Sequence, residues 1–521
     1  MWPVKLGWFR NLLLIVAGSC SALAQPQLAW QARYNGPFNS FDGASFIAVD
    51  GMGNVFVSGD STSAPYNSDF ATVKYDRNGT QLWVRRFDGP RNKSDSVQAL
   101  VVDRAGNAYI AGSSDGLSDG DDSQRYTTIR YDPGGTQLWA AHHDGVLNLL
   151  TKNNLAVDNL GNVYVAISGS DSNAQRALIT IKYDSEGKMK WKAFYNAQGD
   201  FLSFSSGLAL DEPGNVYVVA SSFQGVSPKS RWDFVTVKYD GEGRELWASR
   251  YNGPENNDDL PSALAVDSQG NVYVAGDSVG SGTDNDCALV KYAPDGKELW
   301  VARYDGPNHG YDSLFRMLVD QLGNAYLTII SAVSFEQFRV VIKYNPDGTR
   351  AWLIRDQKGT LFPALDGDGN LYLCGASSDP ITQSDYVTEK YDSKGRQLWL
   401  QRIRSPGGDT PTAITVDPSG NVYLTGYSDM GNGENENFFT AKHLQLPPPD
   451  TRLSSPALAT NGPFQFFLQA ETNRNYTIQY SSNLVQWRPL ITLTVRTNPA
   501  SIKDPASSTK RFYRALKLPQ E

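Results

Sequence analysis

The chain has 521 residues with 47 Lys+Arg against 55 Asp+Glu, which gives a net charge of −8 at pH 7. This balance excludes the basic, phosphate-tracking surface that nucleic-acid binding requires. Gly and Pro, at 47 and 27 residues, are too few for a collagen-like chain, and 12% aromatic residues are too many for a disordered linker protein. We expect a folded protein with no nucleic-acid partner.

Residues 1–24 have the pattern of a secretory signal peptide. Two basic residues precede a short apolar run at 12–18, and residues 22–24 read Ala-Leu-Ala, as a cleavage site does. The run is too short to span a bilayer, and no later stretch is long and apolar enough to be a transmembrane segment. We expect an exported protein that ends up extracellular, at the cell surface or in the periplasm. Lipidation at Cys20 is an alternative, although the residues before it lack the usual leucine.

Cysteine chemistry contributes little to this chain. Only Cys287 and Cys374 remain after the predicted cleavage, and they fall on different repeats. Two cysteines cannot staple a chain of this length, so its core must hold itself together. We expect both to be free, buried thiols.

Two sequence motifs repeat along the chain. The first is Asp-x-x-Gly-Asn followed by alternating apolar residues, and it occurs eight times. Its glycines are Gly53, Gly106, Gly161, Gly214, Gly270, Gly323, Gly369 and Gly420. The second resembles Lys-Tyr-Asp-x-x-Gly-x-x-Leu-Trp, and its tryptophans are Trp83, Trp139, Trp191, Trp247, Trp300, Trp352 and Trp399. An eighth, Trp30, precedes the first full unit.

Each unit is predicted to contain four short strands. In the fifth unit these are residues 262–267, 271–276, 287–292 and 298–304, rich in β-branched and aromatic residues. Strands one and two, and strands three and four, are joined by four-residue turns that end in glycine. We expect positive φ at these glycines, including Gly270, and side-chain caps from the leading Asp. Eight four-stranded units predict an all-β fold, an eight-bladed β-propeller over residues 25–444.

The two ends of the array predict how the ring closes. The last unit has three strands and then runs into three prolines at 447–449, so it lacks its fourth strand. The segment around Trp30 supplies a strand at the start of the chain. We expect this N-terminal strand to pair into the last blade, which would leave no open sheet edge between the ends.

The repeats resemble the SBBP-type β-propeller repeat proteins of bacteria. The matching segments are AVDSQGNVYVAGDS at 265–278 and DFVTVKYDGEGRELWASRYNGP at 233–254. The resemblance covers about 28–444 and implies the propeller fold, but it implies almost nothing about chemistry. The placement of Gly and Trp is also similar to that of PQQ-dependent dehydrogenase propellers, although no adjacent-cysteine pair or convincing calcium set for that cofactor is present.

A separate module follows the propeller. Residues 445–460 are predicted to be a Pro-rich, extended linker, and residues 461–521 a small β-sandwich. Its pattern resembles fibronectin-like C-terminal modules of secreted bacterial proteins. A spacer or attachment role is one interpretation, and sugar binding through Trp487 is another; that Trp could instead fill the core.

Enzyme and metal motifs are weak. None of the histidines His142, His143, His309 and His443 stands at zinc-ligand spacing, and no nucleophile elbow or P-loop is present. His142 and His143 stand where other units carry Arg-Tyr or Arg-Phe, so sequence drift is the alternative to a ligand role. Residues 366–370 have the alternate oxygens of a calcium loop, yet they are also this unit's copy of the repeated turn. Residues 115–122 form a denser acidic loop, for which a solvated loop and a calcium cradle are the two interpretations. We expect no cofactor, with calcium as the alternative.

One aspartate position recurs at the start of the first strand, eight residues before the turn Asp. It is occupied by Asp42, Asp95, Asp259, Asp312 and Asp409. The up-and-down topology places these starts on the face of the long loops, opposite the short turns. If the first strand is innermost, the five carboxylates would form an accessible acidic ring around the channel mouth, where they would bind a cation or another ligand. The alternative is that each Asp caps its own loop by accepting hydrogen bonds from nearby amides.

Two functions remain open from the sequence. The first is an exported, non-enzymatic binding or scaffold protein that uses the long-loop face for an extracellular polysaccharide or protein. The second is a propeller hydrolase or lyase that acts on polysaccharide at the channel mouth, which would need converging acid and base groups. We expect a monomer in either case.

Overall fold

A computed structural model describes residues 26–517, apart from residues 66, 91, 115–123, 147–153, 171–175, 197–199, 225–230, 334–335, 357–358, 380–382, 405–406, 430–435, 446–450, 459–463, 471–474, 482–487, 495–499 and 505–511. The predicted signal peptide, the acidic loop 115–122 and Trp487 therefore lie outside the described residues. The chain divides between Leu444 and Gln445 into two compact units.

The first unit is an all-β, eight-bladed propeller. Strand β1 (Gln27–Tyr34) precedes the first blade. Blade 1 contains β2 (Asp42–Val49), β3 (Val55–Ala64), β4 (Asn67–Tyr75) and β5 (Gln81–Phe87), and blade 2 contains β6 (Ser96–Val102), β7 (Ala108–Ser114), β8 (Gln124–Tyr131) and β9 (Gln137–Val146). Blade 3 contains β10 (Leu155–Val157), β11 (Val163–Ser170), β12 (Arg176–Tyr183) and β13 (Met189–Tyr195). Blade 4 contains β14 (Asp200–Leu210), β15 (Val216–Gln224), β16 (Trp232–Tyr239) and β17 (Glu245–Tyr251).

Blades 5 to 8 continue the pattern. Blade 5 contains β18 (Asp259–Val266), β19 (Val272–Val279), β20 (Asn285–Tyr292) and β21 (Glu298–Tyr304), and blade 6 contains β22 (Tyr311–Val319), β23 (Ala325–Val333), β24 (Glu336–Tyr344) and β25 (Arg350–Asp356). Blade 7 contains β26 (Gly359–Leu365), β27 (Leu371–Asp379), β28 (Gln383–Tyr391) and β29 (Gln397–Ile403). Blade 8 contains β30 (Asp409–Val416), β31 (Val422–Ser428) and β32 (Asn437–Leu444). A 3-10 turn at Pro307–His309 lies between blades 5 and 6.

The strands of each blade pair antiparallel in chain order, and β1 pairs antiparallel with β32 in the sheet of blade 8. A single pair, Val146 with Gly169, joins the sheets of blades 2 and 3. First strands of successive blades contact one another all the way round, including β30 with β2. The first strands therefore lie nearest the axis, and the core lies between neighbouring blades. Tyr273 and Leu289 of blade 5, for example, pack with Leu327 of blade 6.

The Asp-x-x-Gly turns have the predicted conformation. Gly270 has a φ of 79°, and the glycines of all the other Asp-x-x-Gly-Asn turns also have positive φ. In the turn of blade 1, Asp50 Oδ1 accepts hydrogen bonds from the amides of Met52 and Asn54, each at 2.9 Å. These turns lie at one end of every blade, which we call the short-turn face. The remaining connections lie at the opposite end, the long-loop face.

The second repeated motif joins each blade to the next. Trp247 of blade 4 stacks against Gly296 in the turn of blade 5, and its Nε1 donates to the Pro294 carbonyl at 2.9 Å. Lys238 donates to the same carbonyl at 3.1 Å. Among the described residues, seven of the repeated tryptophans donate to a carbonyl of the next blade in this way. Trp30 is one of them, and its bond to Arg77 links β1 to blade 1.

The second unit contains six strands in two three-stranded sheets. They are β33 (Thr451–Leu458), β34 (Phe464–Ala470), β35 (Asn475–Ser481), β36 (Arg488–Thr494), β37 (Ala500–Asp504) and β38 (Phe512–Lys517). Phe466, Leu468, Tyr476 and Ile478 belong to its buried cluster. Strand β33, which pairs with β34, lies within the residues 445–460 that the sequence predicted as a linker.

Cys287 and Cys374 are free and buried, as predicted. Burial raises the pKa of both thiols, to about 12 for Cys374. Both are therefore protonated at neutral pH and poor nucleophiles. Within the described residues, no helix is long and apolar enough to cross a membrane.

Candidate functional site: the loops of the long-loop face

Four connections on the long-loop face share one sequence pattern, which we call the GP loops. Each runs from Tyr or Phe through Asn or Asp, Gly and Pro to the recurring Asp, and each joins the last strand of one blade to the first strand of the next. They span residues 34–42, 87–95, 251–259 and 304–312. The sixth position of each has positive φ, between 50° and 54°, at Asn39, Asn92, Asn256 and His309.

The recurring aspartates close these loops from within. The amides of Gly36, Gly89, Gly253 and Gly306 donate to Oδ2 of Asp42, Asp95, Asp259 and Asp312, at distances of 2.5, 2.7, 2.6 and 2.5 Å. All four carboxylates are at most 1% exposed. Asp409 of blade 8 is equally buried, but the sequence before it is not a GP loop; its backbone amide donates to Ser384 Oγ at 3.1 Å.

The expectation of an accessible acidic ring is corrected by this burial. Asp42, Asp95, Asp259, Asp312 and Asp409 lie at the starts of the first strands, but the structure does not present them to solvent. For the four in GP loops, the carboxylate turns back to its own glycine amide, because a buried anion needs nearby donors. This is the arrangement that the loop-capping alternative requires.

Burial also shifts the titration of these groups. Desolvation raises the pKa of Asp259 to about 6, against the opposing hydrogen bond from Gly253. Desolvation likewise raises the pKa of Asp42 and Asp312. The nearby charges of Asp286 and Asp305 raise the pKa of Asp312 further.

An arginine beneath two of the GP loops ties neighbouring blades together. Arg303 donates to Tyr251 Oη at 2.9 Å, to Ser278 Oγ at 2.6 Å and to Asp286 Oδ2 at 3.0 Å. Arg86 makes the corresponding contacts with Tyr34, Ser61 and Asp69. These networks fix the loops on rigid strands, because charge-assisted bonds in a partly buried setting are stronger than neutral surface bonds.

Two further aspartates connect blades and were missed in the sequence. Asp277 Oδ1 accepts from the Leu314 amide and its Oδ2 from Ser313 Oγ, both at 2.8 Å. Asp60 does the same with Val97 and Ser96 at 2.8 and 2.9 Å. The signal was present in the Gly-Asp-Ser triplets at 59–61 and 276–278, which other blades lack.

Within the part of the chain that the structure describes, two clusters of three carboxylates lie beside the GP loops. One contains Asp69, Asp88 and Asp95, and the other contains Asp286, Asp305 and Asp312; in each, one oxygen from every residue lies within 4.8 Å of the others. Each cluster joins the third strand of one blade, the following GP loop and the first strand of the next blade. Each therefore contains one of the five predicted site residues, Asp95 or Asp312.

Exposed rings occupy the outer surface of the same loops. Phe38 and Phe41 are 45% and 44% exposed, and Tyr311 is 41% exposed. Phe41 contacts the ring of Tyr427 edge to face, with 5.4 Å between centroids. Phe38 and Phe41 share the GP loop between blades 8 and 1, whereas Tyr311 stands on the GP loop between blades 5 and 6. Both loops are hydrogen bonded on their buried sides, so each holds its exposed rings on a fixed support.

The other candidate residues have local contacts. His142 Nδ1 lies 3.0 Å from Thr127 Oγ1, and His143 Nε2 lies 3.3 Å from Lys192 Nζ. Asp366 Oδ1 accepts from the amides of Asp368 and Asn370 at 3.0 and 2.9 Å, as in the other turns. Asp366 therefore makes the same turn contacts as the Asp of the other Asp-x-x-Gly-Asn turns.

Comparisons with solved structures give matches at low sequence identity and low TM-score. The fold is similar to the crystal structure of the polysaccharide lyase Uly1, at 11% identity over 77% of this chain and 90% of that one, with a TM-score of 0.42. A PL25 ulvan lyase structure matches at 11% identity over 73% and 97% of the two chains, with a TM-score of 0.40. The V. cholerae biofilm matrix protein Bap1 matches at 12% identity over 81% and 91%, with a TM-score of 0.28.

At these identities and TM-scores the likeness does not extend to particular residues or to an activity. A comparison with curated protein sequences finds no match. Three segments of the chain, residues 82–119, 246–282 and 398–434, match the SBBP β-propeller repeat family. Each begins near a repeated tryptophan and runs through a GP loop or its equivalent into the next blade, so the chain carries SBBP β-propeller repeats.

Proposed function

We propose that the chain is an exported, non-enzymatic binding or scaffold protein that holds an extracellular polysaccharide or protein on its long-loop face. The observation that carries the proposal is the set of exposed rings on two GP loops whose inner sides are hydrogen bonded: Phe38 and Phe41 between blades 8 and 1, and Tyr311 between blades 5 and 6. Aromatic faces on a rigid support present large contact area at low conformational cost, which favours binding.

The proposal takes the propeller as a ring closed by its first strand. The pairing of β1 with β32 and the bond from Trp30 to Arg77 support this closure. It takes the C-terminal unit as a small fibronectin-like β-sandwich that serves as a spacer or attachment module. A closed monomeric ring would keep the loop spacing constant while the second unit serves attachment.

The test is a glycan array with the purified mature chain, compared with a variant that carries Phe38→Ala, Phe41→Ala and Tyr311→Ala. We expect the variant to lose binding without a change in fold. The matched control is Leu160→Ala with Leu322→Ala, which removes two side chains that are 80% exposed on the short-turn face. Equal binding by all three proteins would contradict a role for the rings.

A reducing-sugar assay on every glycan that binds distinguishes simple binding from the alternative function, cleavage of the polysaccharide. Release of new reducing ends would replace binding with hydrolysis or lyase chemistry at the channel mouth. If no glycan binds, a pull-down with the same three proteins tests an extracellular protein ligand. Retention that depends on the three rings would support the protein branch of the proposal.

A further inference from the structure

The cluster of Asp286, Asp305 and Asp312 between blades 5 and 6 has a charge that its own contacts do not neutralise. One carboxylate oxygen from each residue lies within 4.8 Å of the other two. Asp286 and Asp312 are 3% and 0% exposed, whereas Asp305 is exposed and contacts His309 Nδ1 at 2.6 Å. Arg303 pairs with Asp286 at 3.0 Å. With His309 neutral, three carboxylates and one guanidinium leave two negative charges.

A buried oxygen in this cluster also has no donor. Asp286 Oδ2 accepts from Arg303, but Asp286 Oδ1 is buried without a hydrogen-bond partner among the described residues. An unpaired carboxylate oxygen in a buried position carries a desolvation penalty, so it normally has a proton donor or a cation. This observation is independent of the clustering, and it identifies where a ligand is needed.

The repeat in blades 1 and 2 provides an internal comparison. Asp286, Asp305 and Asp312 each lie the same number of positions after Asp69, Asp88 and Asp95. There, Ser63 Oγ donates to Asp69 Oδ1 at 2.9 Å. Gly280 stands at the position of Ser63 in blade 5, so that donor is missing.

The junction between blades 4 and 5 provides a second comparison. It keeps Asp233 and Asp259 but has Asn252 where the clusters have Asp88 and Asp305. Arg250 pairs with Asp233 at 2.9 Å, so this junction has one negative charge fewer than the cluster. The third carboxylate is therefore a specific addition to an otherwise shared loop.

We propose that Asp286, Asp305 and Asp312 bind a divalent cation, with calcium as the matching ion. Calcium takes oxygen ligands, tolerates irregular geometry and accepts waters for the remaining positions. Two residual negative charges match its charge. The exposed Asp305 gives the ion a route from solvent, and the two buried carboxylates join blades 5 and 6. The site does not depend on the ligand proposed for the exposed rings.

The test is titration of the metal-free mature chain with calcium by calorimetry and by terbium luminescence. We expect the wild-type chain to bind, and Asp305→Asn to remove one binding event or weaken it by about tenfold or more. Asp305→Asn keeps the side-chain size and leaves the buried pair in place. Glu255→Gln is the control, because it removes an exposed charge from the neighbouring GP loop, and we expect it to bind as the wild type does.

Two results would overturn the proposal. One is a wild-type chain that binds no calcium in either measurement. The other is an Asp305→Asn variant that binds with unchanged affinity and stoichiometry, which would place any bound ion elsewhere. A circular dichroism spectrum of each variant checks that the propeller is folded, and calcium-dependent thermal protection in the wild type, absent from Asp305→Asn, is the second expected sign of binding.

Discussion

The two faces of the propeller solve the same problem, reversal of the chain between antiparallel strands, in different ways. On the short-turn face, the Asp-x-x-Gly turns repeat one set of hydrogen bonds with little variation, as the turns at Asp50 and Asp267 show. On the long-loop face, four junctions have GP loops and the others do not. The repeated turns account for the fold, while the variable loops carry the exposed rings and the acidic clusters.

The distribution of the GP loops adds a second lesson. They flank blade 1 on both sides and blade 5 on both sides, and these two blades lie opposite each other in an eight-membered ring. The short-turn face is close to eightfold, whereas the long-loop face is closer to twofold. Any ligand that spans the long-loop face would therefore meet two similar edges separated by loops of different sequence.

The largest expected effect comes from removing β1, the N-terminal strand that pairs with β32 in blade 8. Deletion of residues 25–37 would leave β32 with a free edge and remove the contact of Trp30 with Gly79. We expect the free energy of unfolding to fall by at least about 3–5 kcal/mol, the cost of losing a packed Trp. Thermal unfolding measures this loss, and Trp30→Ala separates the contribution of the indole contact with Gly79 from that of the pairing between β1 and β32. An unchanged melting temperature after the deletion would show that the ring does not need β1.

A matched pair of glycines tests why the short-turn face varies so little. Gly296 and Gly214 have φ of 87° and 86°, but a Cβ on Gly296 would lie 2.7 Å from Trp247, whereas a Cβ on Gly214 would meet nothing within 4 Å. Gly214→Ala should cost about 1–2 kcal/mol for the backbone alone. Gly296→Ala should cost about 1–3 kcal/mol more, because the indole must move. Equal losses in chemical denaturation would mean that the Trp contact contributes nothing.

The features of the short-turn face could be predicted from the sequence because they are local. The Asp, the Gly and the strand residues of each turn lie within five positions, so the positive φ at Gly270 followed from the motif itself. The packing of Trp247 on Gly296 of the next blade was not predicted, since it requires knowledge of how blades stack. Because the motif repeats, the same Trp contact recurs from blade to blade among the described residues.

The long-loop face could be predicted only in part. The sequence predicted that Asp42 lies at the start of a strand. It did not predict which way the Asp42 carboxylate points, because that depends on the loop conformation around Gly36 and Asn39. The shared Gly-Pro pair was an available signal for a self-closed loop. The meeting of Asp286, Asp305 and Asp312 depends on two blades, and only an alignment of blade 5 with blade 1 would have suggested it.

The closing blade should be acid sensitive because it has a histidine where the other blades have tyrosine. His443 is 0% exposed, neither ring nitrogen has a partner among the described residues, and burial lowers its pKa to about 4. In the unfolded chain its pKa is near 6.5. The unfolded state therefore binds the proton more readily, so stability is retained above about pH 6.5 and is lost progressively as the pH falls to about 4.

The loss at His443 should reach about 3 kcal/mol at pH 4, as the shift of the pKa implies. His443→Tyr should remove this part of the pH dependence, since Tyr occupies the same position in the other blades. Melting temperatures of both proteins between pH 7 and pH 4 measure the difference. Parallel pH profiles for the two proteins would show that His443 is not the responsible group.

The smallest expected effect separates a loop cap from a ligand-binding carboxylate at Asp259. Asp259→Asn keeps an oxygen that can accept from the Gly253 amide, whereas Asp259→Ala leaves that amide without its partner. We expect a cost of about 1–3 kcal/mol for Ala and less than about 1 kcal/mol for Asn. Because burial raises the pKa of Asp259 to about 6, ionisation destabilises the folded chain as the pH rises from about 4 to 6. The costs given for Ala and Asn therefore apply at pH 4, where the wild-type carboxyl is largely protonated in the folded chain. Asp259→Asn should abolish the decline, so its stability relative to the wild type should rise between pH 4 and pH 7. If Asn and Ala cost the same, and neither changes the pH profile, the bond to Gly253 does not hold the loop, and the capping role fails.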